Sequence, residues 1–249
     1  DAIPSILSDA LAVSFDNHVG HDYLEDYEER FESYHRKESR IQFDLELFNK
    51  ITKGGLPNKT LNIALAGTGV GKSLFMCHHA SSVLLDGKNV LYITLEMAEE
   101  KIAERIDANL LNVNIQNITE LPKPMFESKV NNLAKKTQGT LIIKEYPTAS
   151  AHSGHFKSLL NELALKKSFT PDIIFIDYLN ICASSRYRTN NNVNSYSYIK
   201  AIAEELRGLA VEANVPIVSA TQTTRSGFAS SDVDLTDTSE SFGLPATAD

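Results

Sequence analysis

Cysteine is scarce: only Cys77 and Cys182 occur in 249 residues, 105 positions apart. Such a pair makes neither a disulfide framework nor a zinc knuckle, and it fits a reducing compartment, the cytosol. Long apolar runs are also missing. Stretches such as Ile173 to Ile176 stop after a few residues, far short of the ~20 needed to cross a bilayer, so no membrane partner is expected. Basic charge is in deficit, with 24 Lys and Arg against 32 Asp and Glu and a net charge of −8. Any bound polyanion must therefore meet a local basic spot, which argues against loose coating of duplex DNA. No basic-then-apolar stretch opens the given sequence. The chain opens Asp-Ala-Ile-Pro without Met and closes Ala-Thr-Ala-Asp, and it reads as a piece of something longer. An apolar content of 42% is enough for one generous core or two small ones and excludes a disordered or fibrous chain.

What is present falls into two textures. Ile3, Ile6, Leu7, Ala10 and Leu11 recur at helical spacing behind Pro4, which predicts a short amphipathic helix over residues 3–15. Its stripe packs either on the chain's own core or on a neighbouring subunit. Residues 21–40 are strongly charged, with Leu24, Tyr27, Phe31 and Tyr34 along one face, and predict a second helix with a solvated outer side. From Lys59 onward, short β-branched runs alternate with longer helical patterns, as in a parallel sheet covered by helices. The expected organisation is thus a helical segment over 1–58 and an α/β core over 59–249. Strands are expected near 60–66, 89–95, 140–145, 172–177 and 215–221, and core helices near 72–85, 98–111, 124–137, 154–167 and 195–213.

The strongest motif follows the first of those strands. Leu61 to Leu65 leads into Ala66-Gly67-Thr68-Gly69-Val70-Gly71-Lys72-Ser73, and a helical pattern opens at Leu74. This is a Walker A loop, in which glycines let successive N–H groups turn inward on phosphate oxygens at the positive end of a helix. Gly67, Thr68, Gly69, Val70, Gly71, Lys72, Ser73 and Leu74 are the expected ATP contacts, with other nucleoside triphosphates open. Lys72 reaches the β and γ phosphates and the Ser73 hydroxyl meets Mg²⁺. Ala66 stands where the pattern has its first Gly; that position asks for a small side chain more than for a left-handed backbone.

Three more polar residues end apolar strands. Asp177 closes Ile173 to Ile176 and reads as Walker B, the carboxylate that holds Mg²⁺. Glu96 ends Val90 to Leu95 and is the candidate general base for the attacking water. Arg105, nine residues on, steadies Glu96 or the γ-phosphate, or is a solvated helix arginine. Gln222, after Val215 to Ala220, is placed to sense the γ-phosphate and report its loss. All lie where open α/β sheets put their ligands.

Together with Thr94-Leu95-Glu96-Met97, Ile176-Asp177-Tyr178-Leu179, Thr221-Gln222 and Asp237 to Gly243, these motifs resemble the DnaB-like replicative helicases, particularly their bacteriophage members. The resemblance covers nearly the whole chain. It implies a RecA-like P-loop NTPase fold with a mostly parallel central sheet, helices on both faces and an N-terminal helical linker. It also implies an ATP-dependent motor on single-stranded DNA, working as a ring homo-oligomer, expected to be a hexamer, with primase and a helicase loader as partners, in host cytoplasm if phage-encoded. Residues 1–15 would be the linker helix docked on the adjacent subunit. The family's N-terminal domain, and the arginine finger and lysine beyond residue 249, are expected to lie outside this sequence, so the piece alone should bind ATP and hydrolyse it poorly. The rivals are a RecA-like recombinase and an ATP-gated assembly module without useful turnover.

Two regions are candidates for DNA. No acidic residue lies between Asp177 and Glu204, where Arg186, Arg188 and Lys200 are interleaved with Tyr187, Tyr196 and Tyr198. The segment 184–195 is either a basic, aromatic single-strand groove or a solvated loop. The second candidate holds Arg225, Glu240 and Gly243, with Ser239 where the family carries an Arg; backbone N–H groups there can still hold phosphates. The close pairs His18/His21, His78/His79 and His152/His155 have no third ligand at metal spacing. Cys77, inside the helix after the loop, is expected to be a small core residue.

Overall fold

A computed structural model describes residues 20, 22–35, 39–187, 194–223 and 247–249. The chain divides into two compact units, Asp1–Glu38 and Ser39–Asp249. Within the first, α1 (Tyr27–His35) carries Tyr27, Phe31 and Tyr34 exposed. It starts later than expected because the Asp22 carboxylate accepts the Leu24 and Glu25 amides, each at 2.9 Å, and folds the preceding residues into a turn. The helix expected at 3–15 lies outside the described residues.

The second unit begins ahead of the boundary drawn at residue 59. A short antiparallel pair, β1 (Arg40–Ile41) and β2 (Leu56–Pro57), encloses α2 (Glu46–Ile51). Ile41 and Leu56 are buried in the same cluster as Met76, Cys77 and Ala80. Two-residue strands have no period for a sequence pattern to reveal, so this piece reads from sequence as part of the N-terminal segment.

The sheet is built from β3 (Leu61–Ala66), β4 (Val90–Thr94), β5 (Leu141–Glu145), β6 (Ile173–Asp177) and β7 (Ile217–Gln222). The order is β3-β7-β6-β4-β5, and every pairing is parallel. Crossovers run through α3 (Lys72–Leu85), α4 (Glu99–Leu110), α5 (Lys123–Ala134), α6 (Ser153–Lys167) and α7 (Ser195–Ala213). Successive strand residues face opposite ways. Leu91, Ile93, Ile174, Ile176 and Ile217 therefore join Phe156, Leu159 and Leu206 of α6 and α7 in one core. Val90, Tyr92, Ile173, Phe175 and Val218 join Met76, Ala80, Ile102 and Ile106 of α3 and α4 in the other. Burial on both faces is why the central strands are uninterrupted apolar runs. No helix among the described residues is long and apolar enough to cross a membrane.

Local chemistry sets the ends. Gly87, with φ 78, follows α3 and donates to Leu84 O at 3.0 Å. His152 caps α6 by accepting the Gly154 amide at 3.0 Å, while His155 Nδ1 accepts the His152 amide at 3.3 Å, so this histidine pair is a capping box. β7 starts later than the expected residue 215 because Pro216 lacks an N–H to donate.

Candidate nucleotide site

β3 ends at Ala66, in register opposite Gln222 of β7, so the residue replacing the first Gly is ordinary strand backbone. The turn that follows needs glycine further on. Gly69 has φ 76 and Gly71 φ 111, conformations that residues with a Cβ rarely adopt. Gly71 is also the N-cap of α3, so the loop delivers the chain into the helix N-terminus with amides free to turn toward an anion. Val70 and Leu74 are exposed, so these two would serve through their backbone rather than their side chains.

The Lys72 ammonium folds over the loop, donating to Gly67 O at 3.0 Å and Ala66 O at 3.3 Å. Burial lowers its pKa, offset in part by the charges of Glu96 and then Asp177. Both acids therefore act on the same cation, at one edge of the sheet.

Asp177 ends β6 almost completely buried. Burial pushes its carboxyl up, opposed by hydrogen bonds from Ser73 and Tyr92 and by the charges of Arg105 and Lys72. Arg105, on α4, thus acts on Asp177, a partner that sequence reasoning did not assign to it. Thr94 pairs with Asp177 across β4 and β6, and the next amide, Leu95 N–H, donates to Asp177 O at 2.8 Å. Glu96 comes immediately after and is exposed. Its turn is held by the Thr94 hydroxyl, which donates to Met97 O at 2.8 Å and accepts the Met97 amide at 3.1 Å. The Gln222 amide donates to the Tyr178 hydroxyl at 3.2 Å, and the Thr68 hydroxyl approaches its carbonyl oxygen at 3.5 Å.

Lys72, Ser73, Asp177, Glu96, Arg105 and Gln222 are therefore brought together from three strand ends, the N-terminus of α3 and the helix α4. Sequence reasoning assigned no role to Tyr92, nor to Thr94 and Tyr178, which stand inside the quoted motifs. For Tyr92 the signal was a polar side chain inside an apolar strand. Cys77 is buried, and its thiol is pushed up to about 11 by that burial, so it is a core residue with no nucleophilic role.

The DNA candidates are placed differently. Arg186 is paired with Glu204 of α7, and Lys200 lies 3.9 Å from the same carboxylate. Tyr198, expected as a stacking face, packs against the core, and its hydroxyl accepts the Ser184 amide at 3.2 Å. Its place on α7 three and four positions before buried Ala201 and Ile202, on the same face, decides this. Tyr196 stays exposed. Arg188, Arg225, Ser239, Glu240 and Gly243 lie outside the described residues.

A parallel sheet with this strand order, doubly covered and carrying a glycine loop at the carboxyl end of β3, defines a RecA-like P-loop ATPase fold. The family model for the DnaB-like helicase C terminal domain matches residues 41–246, and the chain belongs to that family. The DnaB-like replicative helicase of Enterobacteria phage T4 is 50% identical over 251 residues, covering 100% of this chain and 53% of that protein. The chain thus spans about half the length of that relative. Among solved structures, a DnaB-like replicative helicase studied with its interactions with primase superposes with a TM-score of 0.74 at 19% identity, covering 100% of this chain and 59% of that one. A second solved structure, an isolated ATPase domain, gives 0.70 at 17% identity, covering 100% of this chain and 81% of that one.

Proposed function

We propose that this chain is the ATP-hydrolysing motor core of a replicative DNA helicase, converting nucleotide turnover into movement along single-stranded DNA and separation of a duplex. The observation that carries the reading is the convergence of Lys72, Ser73, Asp177 and Glu96 on one sheet edge. Lys72 exchanges its two loop carbonyls for β and γ phosphate oxygens when ATP enters. The Ser73 hydroxyl and Asp177 carboxylate offer only oxygen ligands at one sheet edge, which suits a hard cation, and these two would hold Mg²⁺. When bound, that ion neutralises charge building on the transferring phosphoryl group. Glu96 orients and deprotonates the attacking water. Gln222, bonded to Tyr178 and next to Thr68, senses whether the γ-phosphate is present and passes that on to the chain beyond β7.

The family relationship supports a ring of copies, expected to be six, closed partly by the N-terminal segment, with primase and a loader as partners, working in the cytoplasm of a host cell. DNA would meet the segments holding Arg186 and Arg188 and, beyond β7, Arg225, Glu240 and Gly243. Because a neighbouring copy is expected to supply an arginine to the transition state, a contribution of roughly 10³ to 10⁵ in related NTPases, the test uses the assembled longer protein. Wild type should show ATPase stimulated by single-stranded DNA and unwinding of a forked substrate. Glu96→Gln should keep ATP binding and lose both. Filament growth with strand pairing instead of fork unwinding would point to a recombinase, and turnover indifferent to DNA to an assembly module.

A further inference from the structure

The phosphate loop and the strand-end carboxylates leave the buried phenol of Tyr92 without a role. Tyr92 lies in the middle of β4, fully buried, in register with Phe175 of β6. The two rings stack with centroids 5.8 Å apart at 14°. Phe175 and Asp177 share a face of β6, so a phenol starting opposite Phe175 is long enough to reach the next residue on that face. It does so: the Tyr92 hydroxyl donates to Asp177 Oδ2 at 3.0 Å. On its other side the Cys77 thiol on α3 lies 3.8 Å from the phenol oxygen, within reach to donate. An ionised carboxylate only accepts, and this gives the chain its direction. Thiol donates to phenol, and phenol donates to carboxylate.

We propose that Tyr92 is a positioning residue that fixes the orientation of the Asp177 carboxylate for the metal ion of the nucleotide. A carboxylate can turn about its Cβ–Cγ bond, and a buried donor on one oxygen removes that freedom. Asp177 and Ser73 are then already arranged when the cation arrives. A phenylalanine would fill the same space and stack on Phe175 equally well, so what the tyrosine adds is the hydrogen bond. The inference rests on the reading of Asp177 as the metal-facing carboxylate.

The test measures binding of a fluorescent ATP analogue to the whole protein across a Mg²⁺ titration, together with its Mg²⁺-free affinity in chelator. Tyr92→Phe should need about tenfold more Mg²⁺ for half-maximal enhancement, with Mg²⁺-free affinity and urea unfolding midpoint near wild type. Cys77→Ala, which removes the thiol but keeps the phenol–carboxylate bond, should leave the Mg²⁺ requirement unchanged. An unshifted Tyr92→Phe beside a shifted Asp177→Asn overturns the role of Tyr92 alone. An unshifted Asp177→Asn overturns the metal assignment and the inference with it. A Cys77→Ala shift as large as that of Tyr92→Phe, or an equal loss of Mg²⁺-free affinity in Tyr92→Phe, assigns the effect to packing and overturns the proposal.

Discussion

Gln222 donates its side-chain amide to the hydroxyl of Tyr178, 3.2 Å away, and so ties the end of β7 to the residue that follows Asp177. Its carbonyl oxygen faces Thr68 of the phosphate loop. Removing this amide costs the site one well-formed neutral hydrogen bond, worth about 1 kcal/mol, so Gln222→Ala should weaken ATP affinity by about fivefold at most. Stimulation of turnover by single-stranded DNA should vanish. Steady-state ATPase with and without an oligonucleotide measures both, and wild-type stimulation in the variant would remove Gln222 as the switch.

Gly71 is needed for its backbone and not for its size. A Cβ there would meet nothing closer than Leu74 at 4.0 Å, but φ is 111. Gly71→Ala should therefore distort the loop at a cost of about 1–2 kcal/mol and lower nucleotide affinity by about tenfold. Gly208 of α7 also has open space around it, within a helix; Gly208→Ala should stabilise the fold by about 1 kcal/mol and leave nucleotide binding alone. Nucleotide titration and urea unfolding of the two variants separate conformation from crowding.

His79 is buried on α3, stacked on Phe43 with ring centroids 4.3 Å apart and edge-on to Phe175. Burial pushes its pKa down from 6.5 to about 4. The unfolded chain then binds a proton that the folded chain refuses, so stability is complete above pH ~6.5 and falls as pH drops toward 4, by about 3 kcal/mol over the window. His79→Phe should flatten that part of the curve. Urea unfolding at pH 7.5 and pH 4.5 reads it, and an equal acid loss in the variant would mean that other groups carry it.

Glu205 anchors the segment that leads toward Arg186 and Arg188. Its buried carboxylate accepts the Ser184 hydroxyl at 2.7 Å, the Ser185 amide at 3.0 Å, the Ser153 hydroxyl at 3.1 Å and the Arg186 amide at 3.4 Å. These bonds outweigh desolvation and hold its pKa below the ordinary carboxylate value, although burial is the largest single influence and acts upward. Glu205→Ala strands several donors and should destabilise the fold by about 3 kcal/mol, Glu205→Gln by about 1. Thermal unfolding ranks the two, and equal small losses would show that the segment does not depend on this anchor.

The sheet was legible because burial on both faces demands uninterrupted apolar runs such as Ile173 to Ile176, and because glycine loops of this spacing have few other uses. Strand boundaries fell within a few residues, shifted where Pro216 could not donate. The hairpin over 39–58 escaped because its strands are two residues long. Tyr198 was read as a DNA face from its neighbours in sequence, whereas its position on α7 turns it onto the core.

The amino-acid sequence by itself marked the candidates for chemistry, since a glycine loop, a lysine within it and acids at strand ends are what a triphosphate site asks for. The tertiary structure alone decided what stands behind them. Thr94 meets Asp177, and Tyr92 reaches it, only because β4 and β6 pair in one register. Contacts between strands separated by more than eighty residues are set by packing of two cores against one sheet, and no local pattern records them.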